Sequence, residues 1–253
     1  MFYRALLSVL SCLIVAPAFA QTTVDTKVSP SNPTAASSMP STLKELRDYI
    51  NAEQAMDFRT TLHSSSNVLD TSSQGTAHFL VQRPNLFRID VSNGGASYAY
   101  VSDGTVLTIY NIPRKAFAQI AARPTVQGNM TLIAGLMSFQ ARIFDLFAAL
   151  DQASDGSDAI TITAKGAGTV GGHDCDRFNV KTMVEKWDVW VEKAAPHLPC
   201  KLVSGDVDDP AATVQINEFT WKKAPKFAPD TFVFSPPAGA KKGDVGDVLA
   251  SPQ

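Results

Sequence analysis

The chain has 253 residues, 45% of them hydrophobic and 18% charged, with 22 basic against 24 acidic side chains. That balance argues against a nucleic-acid partner, which calls for a basic excess gathered on one face. No apolar run after residues 1–20 approaches the ~20 residues a membrane-spanning helix needs, and the length suits a single all-β unit.

Residues 1–20, MFYRALLSVLSCLIVAPAFA, carry Arg4, an apolar run from Ala5 to Val15, Pro17, and small residues at Ala18 and Ala20 on either side of Phe19. This is the three-part pattern of a secretory signal, with cleavage expected after Ala20. A rival reading takes Val9-Leu10-Ser11-Cys12 as a lipoprotein signal with Cys12 acylated, but it shortens the apolar core to a few residues. Cleavage after Ala20 removes Arg4 and no acid, leaving 21 basic and 24 acidic residues and a net charge of −3. The mature protein is expected to be exported and periplasmic. Residues 21–41 form a Ser/Thr/Pro-rich leader too poor in large apolar side chains to offset its ordering entropy. A folded domain over 42–242 and a flexible tail over 243–253 complete the expected organisation.

Thr42 to Met56 is predicted helical, because Leu43, Leu46, Tyr49 and Ile50 recur at spacings of three and four, with Ser41 as its natural N-cap. Ser41 and Lys44 also match the S-x-x-K pattern of penicillin-recognising serine enzymes. That chemistry needs S-D-N and K-T-G elements, and the sequence has neither.

From Asp57 the pattern alternates with period two, the mark of strands with one buried face. Strands are predicted at 57–66, 75–82, 86–92, 97–102, 105–111 and 115–121. Arg83-Pro84-Asn85, Asn93-Gly94-Gly95 and Asp103-Gly104 supply the turn chemistry between them. A guanidinium at Arg83 is placed to cap carbonyls near its turn. Met130 to Leu150 then has helical periodicity and is apolar on nearly all sides, so it must be buried on more than one side; Gly135 and Ser138 predict two short helices with a bend. Asn129-Met130-Thr131 fits a glycosylation sequon but falls in this buried segment. Strands resume at 159–166, 175–183, 187–193, 200–206, 212–224 and 231–235. This order predicts a mainly β (α+β) fold: one long antiparallel sheet with its helices on one face, coiled into an incomplete barrel because so many strands cannot stay flat. The helical insert would lie in the concave face as a plug.

A set of short motifs at fixed spacing is more specific. Arg83-Pro84 precedes a strand, Asp103-Gly104 precedes TVLTIYN, Gly171-Gly172 precedes Cys175, and Trp187-Asp188-Val189-Trp190-Val191-Glu192 is followed by Leu198-Pro199-Cys200-Lys201-Leu202 and Phe234-Ser235-Pro236-Pro237-Ala238-Gly239-Ala240. Over most of residues 42–242 the chain resembles DUF2092, a family of exported bacterial proteins grouped with the LolA-like and LppX-like superfamily. The resemblance implies an incomplete antiparallel barrel with an apolar concave face lidded by helices, a hollow that in relatives receives acyl chains of lipids or lipoproteins. It carries over no catalytic residues.

In the 187–193 strand, Trp187, Val189 and Val191 face one way and Asp188, Trp190 and Glu192 the other. One tryptophan joins the core or lines the hollow, and the other sits among polar side chains, stacked on Lys or Arg; the sequence alone does not say which face is concave. With Cys12 removed, Cys175 and Cys200 form an even pair in an oxidising compartment, which favours a disulfide. If their strands flank 187–193, however, two strand spacings would separate them by about 10 Å, beyond the ~7 Å a disulfide tolerates, unless the strand ends bend past their neighbour.

Catalysis has little to rest on. His63, His78, His173 and His197 show no H-x-H or H-x-x-x-H spacing, so neither a metal nor another cofactor is expected. A His197–Cys200 couple needs a reduced thiolate, and the acids in His173-Asp174-Cys175-Asp176 would dull its thiol. The preferred reading is a non-enzymatic binding module, a carrier or sensor holding a lipid, acyl chain or lipoprotein anchor. Leu132, Ile133, Leu136, Met137, Phe139, Ile143, Phe144, Phe147 and Trp187 would line the hollow or form a movable plug. The alternative is a structural or interaction domain of the cell envelope whose hollow is filled by the same insert. Any envelope protein partner is unnamed by the sequence.

Overall fold

The computed structural model describes residues 39–66, 71–136, 141–205 and 213–249. The signal, most of the leader, and Met137 and Phe139 lie outside them. Helix α1 (Ser41–Ala52) leads into strands β1 (Ala55–Ser66), β2 (Thr71–Gln82), β3 (Leu86–Asn93), β4 (Ala96–Asp103), β5 (Val106–Asn111) and β6 (Ala116–Ala121). Helices α2 (Val126–Leu136) and α3 (Arg142–Ser154) follow, then β7 (Thr161–Val170), β8 (His173–Lys181), β9 (Lys186–Glu192), β10 (Pro199–Ser204), β11 (Thr213–Lys222), a two-residue β12 (Lys241–Lys242) and α4 (Val245–Leu249).

All twelve strands join one open, curved sheet in the order β12-β6-β5-β4-β3-β2-β1-β11-β10-β9-β8-β7. Neighbouring strands run antiparallel, except that β12 pairs in parallel with β6. The helical insert interrupts the meander, and β11 returns to pair with β1, which places both halves of the chain in a single sheet. Leu43, Leu46 and Ile50 of α1, Met130 and Ile133 of α2, and Ile143, Phe144, Leu146 and Leu150 of α3 are buried in one core with Phe58, Phe79, Ile89, Ile109 and Val189 of the sheet. The helices therefore fill the concave face, as the apolar periodicity of the insert requires. Asn51 of α1 donates to Asp151 of α3 at 2.7 Å, tying the two helices side by side.

Local chemistry explains most joints. Arg83 donates from Nε to the carbonyl of Glu53 and from Nη2 to that of Ile50, which caps the orphan carbonyls at the end of α1. Asn129, fully buried, accepts from the Arg123 N–H and donates to the carbonyls of Arg123 and Thr125, so its sequon is spent on shaping the entry to α2.

Three expectations are corrected. Ser41 is the first residue of α1 rather than its cap; Pro40 holds the cap position and no side chain caps the helix. Residues 231–235 are not a strand but part of an irregular strap over the outer face, where Phe234 packs on Tyr110 and Phe117 at 5.5 and 5.2 Å; its alternating aromatics serve a docking segment that makes no ladder. Residues 243–249 of the expected tail are not loose, and 250–253 lie outside the described residues. After β12 the chain folds as α4, begun by the Asp244 carboxylate accepting from the Asp247 N–H, and buries Val248 completely.

Candidate functional site

Because side chains alternate along each strand, the concave face can be read as rows running across the sheet. One row, through β11, β1, β2, β3, β4, β5 and β6, is Trp221, Phe58, Phe79, Ile89, Tyr100, Ile109 and Ala118. Here Phe58 stacks between Phe79 at 4.6 Å and Trp221 at 4.4 Å, and Phe144 of α3 descends onto Phe58 and Phe79 at 6.3 and 6.0 Å. Six residues along β1 the corresponding row is Trp187, Ser204, Gln215, Ser64 and Ser73, running from β9 to β2. Between them Leu202, Asn217 and Leu62 face one another. The concave face is thus graded along the strands, aromatic at one end and hydroxyl- and amide-bearing at the other.

The insert packs on the aromatic end and shares its core with Trp187. Ile133, Ile143, Phe144 and Phe147 are buried in the core, as is Trp187 beneath them. Leu132 is half-buried against the same cluster, while Leu136, at the last turn of α2, is 37% exposed. At the first turn of α3 a cavity of about 10 Å³ remains between Leu62, Phe79, Arg142, Ile143, Asn217 and Phe219, room for about one water.

Toward the polar end, Arg142 donates to Glu185 at 2.5 Å and lies 4.0 Å from Asp145. Burial pushes the Asp145 carboxyl above the usual carboxylate range; Arg142 pulls it down and Glu185 pushes it further up. Glu185 immediately precedes β9, two residues before Trp187, and its carboxylate reaches α3 through Arg142. This polar end is what sequence reasoning missed: Ser204, Gln215 and Asn217 become neighbours of Trp187 only through the register of β9, β10, β11 and β1, which no local pattern encodes.

The outer face is polar. Trp190 lies between the Arg177 guanidinium at 4.8 Å and the Lys201 ammonium at 5.3 Å, the stacking expected for the second tryptophan. Arg177 also pairs with Asp188, which accepts from Asn179. A groove of about 990 Å³ crosses this face past Arg59, His78, Asp90, His173, Glu192 and Glu218. Its histidines face carboxylates within the sheet: His78 meets Asp57 at 2.8 Å and His173 meets Glu192 at 3.1 Å. Cys175 and Cys200 are joined in a disulfide with Cα atoms 7.1 Å apart. The register slips between Pro199 and Lys201, and this bulge brings Cys200 past the intervening β9 to Cys175, which resolves the spacing objection. Cys200 is therefore not available as a thiolate partner for His197, which contacts Glu45 and the Glu192 carbonyl instead. Among the described residues, no group of three His, Cys, Asp or Glu side chains is placed to hold a metal ion, and no helix is long and apolar enough to cross a membrane.

No curated protein sequence matches the chain. Similar solved structures include an uncharacterised conserved protein from Thermus thermophilus, with 10% identity, 79% of this chain and 98% of that one covered, and a TM-score of 0.48. The lipoprotein LppX of Mycobacterium tuberculosis shows 11% identity, 76% and 100% coverage and a TM-score of 0.40. A LolA superfamily protein from Nitrosomonas europaea shows 9% identity, 77% and 96% coverage and a TM-score of 0.35. The profile of DUF2092, described as a predicted periplasmic protein, matches residues 40–245, so nearly the whole folded unit is accounted for and the chain belongs to the DUF2092 family.

Proposed function

We propose that this periplasmic protein is a non-catalytic binding module that takes an acyl chain, from a lipid or a lipoprotein anchor, into the concave face of its sheet. The observation that carries this reading is the gradient of that face, aromatic at Phe58, Phe79 and Trp221 and polar at Ser64, Gln215 and Ser204. A face that served packing alone would need no polar end, whereas an amphiphile needs both an apolar and a polar end. The α2–α3 insert is the occupant the ligand displaces, through Leu132, Ile133, Leu136, Met137, Phe139, Ile143, Phe144 and Phe147.

A second reading has its own support. The residual cavity of about 10 Å³ matches a hollow permanently filled by its own insert, in a domain that works through protein contacts. Extraction of the mature protein from the periplasm with organic solvent, followed by mass spectrometry, separates the two. A carrier brings acyl chains with it in near-stoichiometric amount, and Leu136→Asp, at an exposed position that leaves the core intact, lowers the yield several-fold. Absence of acyl chains, together with no uptake of added lipid, favours the self-filled domain. Phe144→Asp is less informative, because Phe144 is also a core residue.

A further inference from the structure

Two buried donors on the concave face lack an acceptor. The indole N–H of Trp187, a residue 2% exposed, and the Nε–H of Arg142 make no hydrogen bond among the described residues. A buried donor without a partner costs the desolvation of that group, about 1–3 kcal/mol each, so each calls for an acceptor, a bound water or a ligand oxygen. The two lie at one place in the fold. Arg142 lines the small cavity at the start of α3, and its guanidinium reaches Glu185, which precedes β9 and stands two residues before Trp187. Trp187 stands in the polar row, and Arg142 lies between that row and Phe79.

We propose that Trp187 and Arg142 form a head-group subsite that donates to a neutral carbonyl, the ester or amide of an acylated ligand whose chain runs toward the aromatic end. This inference rests on the acyl-binding reading and sharpens it. The charge around Arg142 selects neutral over anionic heads: one guanidinium already meets Glu185 at 2.5 Å and Asp145 at 4.0 Å, so a carboxylate or phosphate would add a further negative charge where acids already outnumber the cation. A carbonyl oxygen accepts from both donors without that penalty. Glycerolipid esters and the N-acyl amide of a lipoprotein share this chemistry.

The test uses the delipidated mature protein and four probes: a monopalmitoylglycerol, an N-palmitoyl peptide amide, palmitate at pH 8, and an apolar naphthylamine dye that reports the hollow alone. The ester or the amide is expected to bind at least tenfold more tightly than palmitate. Trp187→Phe and Arg142→Lys, which keep the ring and the charge, should each weaken the ester and amide about five- to tenfold, as one buried hydrogen bond of about 1–1.4 kcal/mol predicts. Dye affinity should fall by much less than that in either variant, so that the ratio of ester to dye affinity drops. A preference between ester and amide names the source. Unchanged ester and amide affinity in both variants, or palmitate binding as tightly as the ester, overturns the subsite while leaving the acyl-binding reading intact. Failure of all four probes, dye included, sinks the underlying reading and the subsite with it.

Discussion

The two flanks of the sheet are held in different ways. In the β4–β6 flank both faces are covered: helices pack on the concave side, the strap carrying Phe234 covers Ala99, Tyr110 and Phe117 outside, and β12 seals the edge of β6. The chain then turns back over that edge as α4, whose Val248 carbonyl accepts from the buried Asn111 side chain at 3.0 Å. The β7–β10 flank has none of this cover outside. Its edge strand β7 is exposed at nearly every residue after Ile162 and carries a bulge between Ala164 and Ala167 with Lys165 inside it, features that discourage pairing with another chain. What it has instead is a disulfide, ion pairs and a cation-stacked tryptophan. Where apolar cover is thin, covalent and ionic links stand in.

The disulfide should carry the largest effect. It closes a loop of 25 residues, for which loop-closure entropy predicts about 3.5 kcal/mol. The double variant Cys175→Ser, Cys200→Ser should lose most of that in denaturant unfolding, and reductant should lower the stability of the natural protein by the same amount. A loss below about 1 kcal/mol would mean that side-chain packing holds the β8–β10 region without help.

On the covered flank, Phe234→Ala should cost about 2 kcal/mol, less than a fully buried phenylalanine because the ring is half-buried. The loss should come with faster hydrogen exchange in β6 and β12 and no change in β8 or β9. Exchange spreading evenly over both flanks would show that the strap does not act locally.

Much of this was legible in the sequence, and the reasons are local. Strand alternation, the turns at Asn93-Gly94-Gly95 and Asp103-Gly104, the apolar insert and the Arg83 cap each follow from a few consecutive residues. The strap and α4 were not legible, since Thr231 to Ser235 alternates like a strand and nothing within it says that its hydrogen-bond partners are missing. The disulfide was favoured by compartment and doubted on spacing, and only the bulge at Cys200 reconciles the two. The polar end of the concave face was hidden for a deeper reason: Trp187 and Gln215 are close only through the pairing of three strands.

Trp190→Leu tests the exposed flank more finely. It removes the ring between Arg177 and Lys201, for a loss of about 1 kcal/mol. Asp188 retains Asn179 and Arg177 as partners, so the β8–β9 pairing should survive and the effect should be confined to stability, with dye and ester binding unaltered.

The smallest effect on stability, and the most telling for the site, is expected from Asp145→Asn. Burial chiefly, with Glu185 adding and Arg142 opposing, raises the Asp145 carboxyl above its ordinary value of 3.8. The folded protein therefore holds that proton more tightly than the unfolded chain, and folding becomes less favourable as pH rises from 3.8 through the raised value. Asparagine removes this cost above that window and changes nothing below it. The side chain is 46% exposed and stands in the first turn of α3, where the helix dipole favours a negative charge, so the gain at neutral pH should be only about 0.3 kcal/mol after screening. The same substitution takes away one of the two acids flanking Arg142. If those acids are what exclude an anionic head, palmitate should bind the variant several-fold better while the ester is unaffected, and the gap between them should narrow. An unchanged gap would assign the selectivity to Glu185 alone.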